Sequence, residues 1–256
     1  MLIAVKFRIL SILLFLGGVA FAAPPKDVNP PQLYFGIDEF TKALSYYSKD
    51  FTTPKTEEVI GKHLAHLKKR QLKYKSELGF AEYTFYYIHN RLLKQYTEYA
   101  SLDQTLQKGS YDCVTATAMY ALFFSELDVP YTVVETNYHL YILAFQGTNN
   151  EVLIETTDPV AGFVKNKVEV NERKELYVKG NSELRANQVD LKWNVENNLK
   201  DSELIGLLLF NQSIKNYNLG NKAKALDLAN EALTYYASPR IRTYVQFLKG
   251  DRLASR

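Results

Sequence analysis

An apolar segment at residues 112–127 passes directly into three stretches with the composition of β-strands, and this change of pattern limits the folds open to the chain. The apolar segment has the length and spacing of a buried helix. The stretches at 131–135, 138–146 and 151–157 are rich in β-branched and aromatic residues, and the Gly-Thr-Asn-Asn sequence at 147–150 predicts a hairpin turn. A helix followed by hairpin-connected strands predicts an α+β fold with an antiparallel sheet.

Helical spacing of apolar residues occurs on both sides of these strands. The helices predicted before them cover residues 35–47, 53–79 and 80–99, and those predicted after them cover 204–217, 223–236 and the residues from 240 onward. A polar connection is expected at 101–111, and residues 164–170 and 189–195 are predicted to add edge strands. The predicted order is therefore N-terminal helices, an antiparallel sheet and a C-terminal helical hairpin.

The first 22 residues have the pattern of an export signal. Lys6 and Arg8 precede an apolar run, which ends in the small-x-small sequence Ala-Phe-Ala at residues 20–22. The run is short for a membrane-spanning helix, which needs about 20 apolar residues. We therefore expect a periplasmic or secreted protein that contacts a membrane only if the signal at 1–22 stays uncleaved. Residues 23–34, which contain proline and asparagine and lack periodicity, are predicted to form a flexible lead-in.

Charge and residue spacing argue against two classes of partner. Two of the 31 basic residues and none of the 28 acidic residues lie in the predicted signal, which leaves a net charge of +1 for the mature chain. That small charge, without an aromatic and basic ladder, makes nucleic acid an unsuitable partner. His63 and His66 lie three residues apart on a predicted helix, but no distant third ligand is evident, so no metal or other cofactor is predicted.

Cys113 is the only cysteine in the chain, and its position suggests chemistry. Exported proteins usually hold cysteines in disulfide pairs, which a lone cysteine cannot form within its own chain. Cys113 begins the apolar helix, where the helix dipole favours a thiolate and so lowers the thiol pKa. His139 and Glu155 follow on strand-like stretches, in the order of a nucleophile, a base and an acidic orienting group. The alternative is that Cys113 is an inert, buried small hydrophobe.

These motifs together resemble the core of the transglutaminase-like superfamily. The resemblance covers residues 85–159 and rests on Gly-Ser-Tyr-Asp-Cys at 109–113, Leu-Asp-Val-Pro at 127–130, the strand that begins with His139, and Glu-Thr-Thr at 155–157. It implies a papain-like α+β core. It also implies a cysteine-dependent hydrolase or acyltransferase that acts on protein or cell-wall amide bonds through a thioester.

Two departures from the family pattern and an unassigned second oxyanion donor leave parts of the site open. The acidic residue is usually Asp in this superfamily, whereas here Glu155 aligns best and Asp158 is the alternative. Tyr141 replaces the usual Trp near the histidine, which affects the expected substrate specificity. Gln107 precedes Cys113 by six residues, a spacing that papain-like proteases use for an oxyanion donor, but a solvated loop glutamine has the same appearance.

The C-terminal segment resembles a tetratricopeptide repeat. Small residues recur along 220–233 and Pro239 closes the pattern, which amounts to one repeat and one further helix. Because one repeat cannot bury its own faces, residues 199–256 are expected to dock on the transglutaminase-like domain, predicted at 35–198. A second functional hypothesis follows, in which the core is a non-catalytic scaffold and the helical tail recruits a peptide or protein partner.

Overall fold

The computed structural model describes residues 36–46, 53–136, 139–183 and 196–250. The predicted export signal, the predicted lead-in at 23–34 and the predicted strand at 189–195 lie outside these residues. Within the described ranges no helix is both long enough and apolar enough to cross a membrane.

Among the described residues, five helices and two short strands come before the main sheet. They are α1 (Ile37–Ser45), α2 (Thr53–Gln71), α3 (Glu77–Arg91), β1 (Gln95–Tyr96), α4 (Leu102–Lys108), β2 (Ser110–Tyr111) and α5 (Cys113–Glu126). The remaining elements are β3 (Tyr131–Thr136), β4 (Leu140–Ala144), β5 (Val152–Ile154), β6 (Phe163–Val164), α6 (Lys167–Glu183), β7 (Glu196–Asn198), α7 (Asp201–Asn218), α8 (Lys222–Tyr235) and α9 (Pro239–Leu248). This order of elements confirms the predicted α+β class.

The main sheet has five antiparallel strands in the order β6-β5-β4-β3-β7. In its centre Val133 pairs with Ile142, which in turn pairs with Ile154. The predicted β4–β5 hairpin is confirmed, and its turn contains Gly147 at φ +77°, a conformation that glycine adopts without a steric penalty. Since neighbouring strands run in opposite directions, the end of β3, the start of β4 and the end of β5 lie at the same end of the sheet.

Both faces of the sheet are covered. One face joins the main core with α5, whose segment from Thr115 to Ser125 is buried throughout. The other face presents Tyr141 and Leu143 to a smaller apolar cluster, which α6 completes with Val170 and Tyr177. Alternate residues of each strand therefore pack against different helices, which explains why these strands are apolar on both faces.

Local capping signals explain where the predicted boundaries were wrong. The helix predicted at 53–79 ends at Gln71. The helix predicted at 80–99 begins at Glu77, because the Ser76 side chain accepts a hydrogen bond from the Gly79 N–H (3.2 Å) and caps it, and this helix ends at Arg91. The connection predicted to be irregular contains α4, which begins with a Ser101 and Gln104 capping box and ends at Gly109. The strand predicted at 164–170 ends at Val164, and α6 follows.

The C-terminal helices pack against the preceding elements, as expected from a single repeat. Gln212 on α7 donates hydrogen bonds to the carbonyl oxygens of Tyr99 (3.1 Å) and Ala100 (2.8 Å). β7 pairs with β3, and Asn197 on β7 donates to the hydroxyl of Tyr236 (3.1 Å) at the end of α8. The segment from α7 to α9 is therefore built into the same packing as the sheet.

Gly206 permits the closest approach of α7 to the end of α8. A β-carbon there would lie 2.5 Å from the Tyr236 Cβ and 3.0 Å from its backbone nitrogen. We expect Gly206→Ala to lower the free energy of unfolding by about 1–3 kcal/mol, because the backbone must shift. Gly61→Ala on α2 is the control: nothing lies within 4 Å of its β-carbon, so a gain of about 0.5–1 kcal/mol is expected in urea unfolding.

Candidate active site

Cys113 is the first residue of α5, and its position is fixed by the cap of that helix. The Asp112 side chain accepts a hydrogen bond from the Thr115 N–H (2.9 Å), and the Thr115 hydroxyl accepts one from the Asp112 N–H (2.9 Å). Asn211 on α7 donates from its side-chain amide to the other Asp112 oxygen. The C-terminal segment thus supports the cap that precedes the thiol.

His139 and Glu155 lie close together at the end of the sheet where β4 begins and β5 ends. His139 precedes β4 and Glu155 follows β5, so the antiparallel pairing brings their side chains together, and His139 Nε2 contacts Glu155 Oε2. The second carboxylate oxygen accepts hydrogen bonds from the Thr157 N–H (3.3 Å) and hydroxyl (2.8 Å). With Nε2 engaged by Glu155, His139 Nδ1 is the ring nitrogen left to exchange a proton with another group.

Asp158, the alternative acidic residue, has a different role. One of its carboxylate oxygens accepts hydrogen bonds from the backbone N–H groups of Val160 (3.0 Å) and Ala161 (2.9 Å). These bonds form a local turn, in the way that Asp side chains commonly do. The structure therefore brings Glu155 to the imidazole of His139 and uses Asp158 to hold the loop that follows.

Cys113 and His139 line the same cavity. It has a volume of about 150 Å³ and lies between the start of α5, the end of the sheet where β3 ends and β4 begins, α7 and α9. Its wall is formed by Cys113, Val114, Glu135, Thr136, His139, Leu140, Leu207, Phe210, Asn211, Ile214 and Arg240. Both Cys113 and His139 are partly exposed, so a molecule in the cavity reaches the thiol and the imidazole.

The electrostatics of the thiol oppose the sequence-based expectation. Burial raises the pKa of Cys113 to about 12, and the carboxylates of Asp112 and Glu155 act in the same direction. The backbone N–H groups of Val114 and Cys113 itself lower the pKa, but by less. The lowered pKa predicted from the helix start was therefore wrong, because burial and two nearby carboxylates outweigh the helix terminus. At neutral pH the thiol is protonated, and a nucleophilic role requires a base.

The carboxylate of Glu155 is held in its charged form. Burial alone would raise its pKa, but the contact with His139 and the hydrogen bonds from Thr157 and Tyr177 together lower the pKa below its ordinary value. A charged carboxylate beside the imidazole stabilises the imidazolium that forms when His139 accepts a proton. The arrangement is therefore suited to general-base chemistry at His139.

Two groups of residues near the site were missed by the sequence analysis. Tyr177 on α6 donates its hydroxyl to Glu155 Oε2 (2.9 Å), and its ring centroid lies 4.7 Å from that of His139. Glu135 is buried and pairs with Arg240 on α9 and with the hydroxyl of Tyr236. No local motif identifies either group, because their partners are distant in sequence and the α6 segment has no clear helical periodicity.

The remaining residues singled out in the sequence lie away from this cavity. Gln107 is exposed on α4 and is absent from the cavity wall. His63 and His66 form hydrogen bonds with the hydroxyls of Tyr87 (3.0 Å) and Tyr83 (2.9 Å) between α2 and α3.

No family model, curated protein or solved structure matches this chain.

Removing the hydroxyl of Tyr177 is expected to weaken the charged state of Glu155. Tyr177→Phe should lower the free energy of unfolding at pH 7 by about 1 kcal/mol, the usual net value of one hydrogen bond. Because folding lowers the pKa of Glu155, its charged carboxylate adds to the free energy of unfolding above its ordinary pKa of 4.5. This contribution disappears as the pH falls through the pKa of Glu155 in the folded protein. The difference from wild type should therefore shrink on acidification.

Urea unfolding of both proteins between pH 7 and about pH 3 measures this effect, because the loss occurs below the ordinary pKa of 4.5. Tyr217→Phe serves as the matched control, because Tyr217 is also a partly exposed helical tyrosine and its ring contacts are with Tyr244 and Phe247, away from Glu155. Its effect should stay within about 0.5 kcal/mol. A difference for Tyr177→Phe that does not change with pH would contradict a role through the carboxylate.

Proposed function

We propose that this protein is an exported, cysteine-dependent hydrolase or acyltransferase of the transglutaminase-like type, acting on protein or cell-wall amide bonds. The observation that supports the proposal most is the shared cavity of Cys113 and His139, together with the bond between Glu155 and Nε2 of the imidazole. These three side chains are suited to the roles of nucleophile, base and orienting acid in acyl transfer through a thioester.

The proposed first half-reaction begins with a protonated thiol. His139 Nδ1 accepts the proton while Cys113 Sγ attacks the carbonyl carbon of the amide, and the carbonyl oxygen becomes an oxyanion. Backbone N–H groups at the start of α5 are suited to stabilise that oxyanion. The C–N bond then breaks, the imidazolium returns its proton to the leaving amine, and a thioester on Cys113 remains.

The second half-reaction releases the acyl group. Water or an amine enters the cavity, His139 removes its proton, and the new C–O or C–N bond displaces the thiolate, which recovers a proton from the imidazolium. Hydrolysis is the simpler outcome in a periplasmic or secreted setting, because water is the acceptor in excess. Both steps use His139 as the base and leave Glu155 charged throughout.

The raised pKa of Cys113 favours a second candidate function. A thiol that stays protonated suits a non-catalytic scaffold, whose core and helical tail bind a peptide or protein partner. The two functions differ in one measurable respect. The enzyme forms a covalent acyl intermediate at a rate that depends on an imidazole, whereas a scaffold reacts only as fast as a free thiol with a high pKa.

Trapping the acyl-enzyme tests the proposal. The protein is incubated with p-nitrophenyl acetate, and acetylation is followed by intact mass and by peptide mapping. Because Cys113 is the only cysteine, one acetyl group on its sulfur is a unique product, and Cys113→Ala is the blank. Acetylation of Cys113 that then decays by hydrolysis supports an enzyme. Acetylation no faster than that of a free thiol of comparable pKa supports the scaffold.

A further inference from the structure

We infer that the cavity beside Cys113 is a specificity pocket for an apolar side chain on the acyl portion of the substrate. The inference rests on the proposed function, and it names the class of substrate that the site accepts. It depends on three observations: the apolar character of the wall, the pairing of the polar groups in that wall, and the position of the thiol.

The wall is apolar over most of its extent. Val114 and Leu140 lie beside the thiol and the imidazole, and Leu207, Phe210 and Ile214 come from one side of α7. An apolar cavity of about 150 Å³ is large enough for a molecule the size of benzene. The volume therefore accommodates one side chain of the size of leucine or phenylalanine, which would remove apolar surface from water on binding.

The polar residues of the wall have partners within the protein. Glu135 contacts Arg240 and Tyr236, and the side-chain amide of Asn211 donates to Asp112. The Thr136 hydroxyl donates to the carbonyl oxygen of His139 (3.2 Å). A charged substrate side chain would lose its hydration in this cavity and would have to displace these existing partners, which makes its binding unfavourable.

The position of the pocket links it to the acyl side of the scissile bond. Cys113 and His139 belong to the same wall as the α7 residues, so a group that fills the cavity is attached close to the carbonyl that Sγ attacks. Because α7 supplies three of the apolar residues, the C-terminal segment is a part of substrate recognition and does more than cover the core.

Amino-acid chloromethyl ketones test this specificity directly. Each reagent alkylates Cys113 when Sγ forms a bond to the methylene carbon and chloride leaves. The N-acetyl chloromethyl ketones of leucine, alanine, aspartate and lysine are compared on the full-length protein by intact mass, with iodoacetamide as the reference for thiol reactivity. We expect the leucine reagent to react at least about 10-fold faster than the alanine reagent, and the two charged reagents to be slower still.

A pair of matched variants locates the preference in the cavity. Ile214→Asn places a polar group in the wall and should reduce the ratio of leucine to alanine rates to about 2-fold or less. Leu233→Asn is the control, since Leu233 is also a partly buried helical residue but lies outside the cavity wall, and its ratio should match wild type. Each chloromethyl ketone rate is divided by that variant's own iodoacetamide rate before rates are compared between variants.

The outcomes distinguish a failure of the specificity pocket from a failure of the proposed hydrolase or acyltransferase reaction. Equal normalised rates for all four reagents, or a preference for aspartate or lysine, would overturn the specificity pocket even if Cys113 is acetylated and deacetylated by p-nitrophenyl acetate. A leucine preference that Ile214→Asn removes supports the pocket even if that acetylation fails. In that second case the cavity binds apolar groups but the proposed hydrolase or acyltransferase function is lost.

Discussion

Replacing His139 with alanine is expected to slow acetylation of Cys113 by p-nitrophenyl acetate by about 10²- to 10⁴-fold at pH 7.5, the usual range for loss of a general base. The effect should be this large because the pKa of the thiol is raised to about 12, so almost no thiolate is present without a base. The rate is measured from released p-nitrophenolate and confirmed by intact mass.

The pH dependence of the same reaction distinguishes a base from a structural residue. In the wild-type protein the rate should level off far below the pKa of the thiol, because a base removes the thiol proton, whereas in His139→Ala it should rise with pH over the whole accessible range. His66→Ala is the control, since His66 lies on α2 and bonds Tyr83. Equal rates for wild type and His139→Ala would overturn the proposed mechanism.

The positions of the candidate site residues in the fold could be predicted from the sequence better than the surroundings that set their properties. The start of α5 at Cys113 and the two hairpin strands with His139 and Glu155 follow from local periodicity, which is why these residues could be named in advance. The choice between Glu155 and Asp158 needed the structure. Alternation along a regular strand favoured Glu155, but only the hydrogen bonds within the turn show how Asp158 is used.

What the sequence missed depends on contacts between distant segments. Tyr177 lies on α6, where β-branched residues at its start favoured a strand, and the helix forms because Val170 and Tyr177 complete the outer face of the sheet. The thiol pKa was predicted in the wrong direction for the same reason. A helix start is visible in the sequence, whereas the burial of Cys113 and the nearby charge of Glu155 arise only from tertiary packing.

The C-terminal helices connect the fold to the candidate site at two points. Asn211 on α7 donates a hydrogen bond to Asp112, which caps the helix that begins at Cys113. Arg240 on α9 pairs with Glu135, which lies four residues before His139. The repeat-like segment, for which the sequence left open a covering role or a partner-binding role, thus contacts both the cap of the helix that begins at Cys113 and strand β3, which pairs with β4 next to His139. Changes in α7 or α9 should therefore alter acylation as well as stability.

Replacing Arg240 with methionine is expected to lower the free energy of unfolding at pH 7 by about 2–3 kcal/mol. The variant leaves the buried carboxylate of Glu135 without its cation, and such broken pairs cost about 3–5 kcal/mol when fully buried. The lower figure allows for solvent screening, because the Arg240 side chain is 35% exposed. Urea unfolding followed by circular dichroism measures the change.

The dependence of this loss on pH identifies its cause. Burial raises the pKa of Glu135 in the folded protein, while Arg240 and Tyr236 oppose that rise. Without Arg240 the pKa of Glu135 in the folded protein rises further. Above that pKa the buried charge lowers the free energy of unfolding by its full amount, and this loss disappears as falling pH protonates the carboxyl in the folded state. The difference between wild type and Arg240→Met should therefore narrow from pH 7 towards pH 5. The double variant Glu135→Gln, Arg240→Met should recover most of the loss at pH 7.

Arg242→Met on the same helix provides the control, because Arg242 is exposed and its side chain donates to the Ala237 carbonyl oxygen (3.2 Å), away from Glu135. Its effect should remain within about 0.5 kcal/mol at either pH. If Arg240→Met destabilises the protein equally at pH 7 and pH 5 and Glu135→Gln gives no recovery, then the lost contact of the Arg240 guanidinium with the Phe210 ring is the cause, and the buried charge of Glu135 is not.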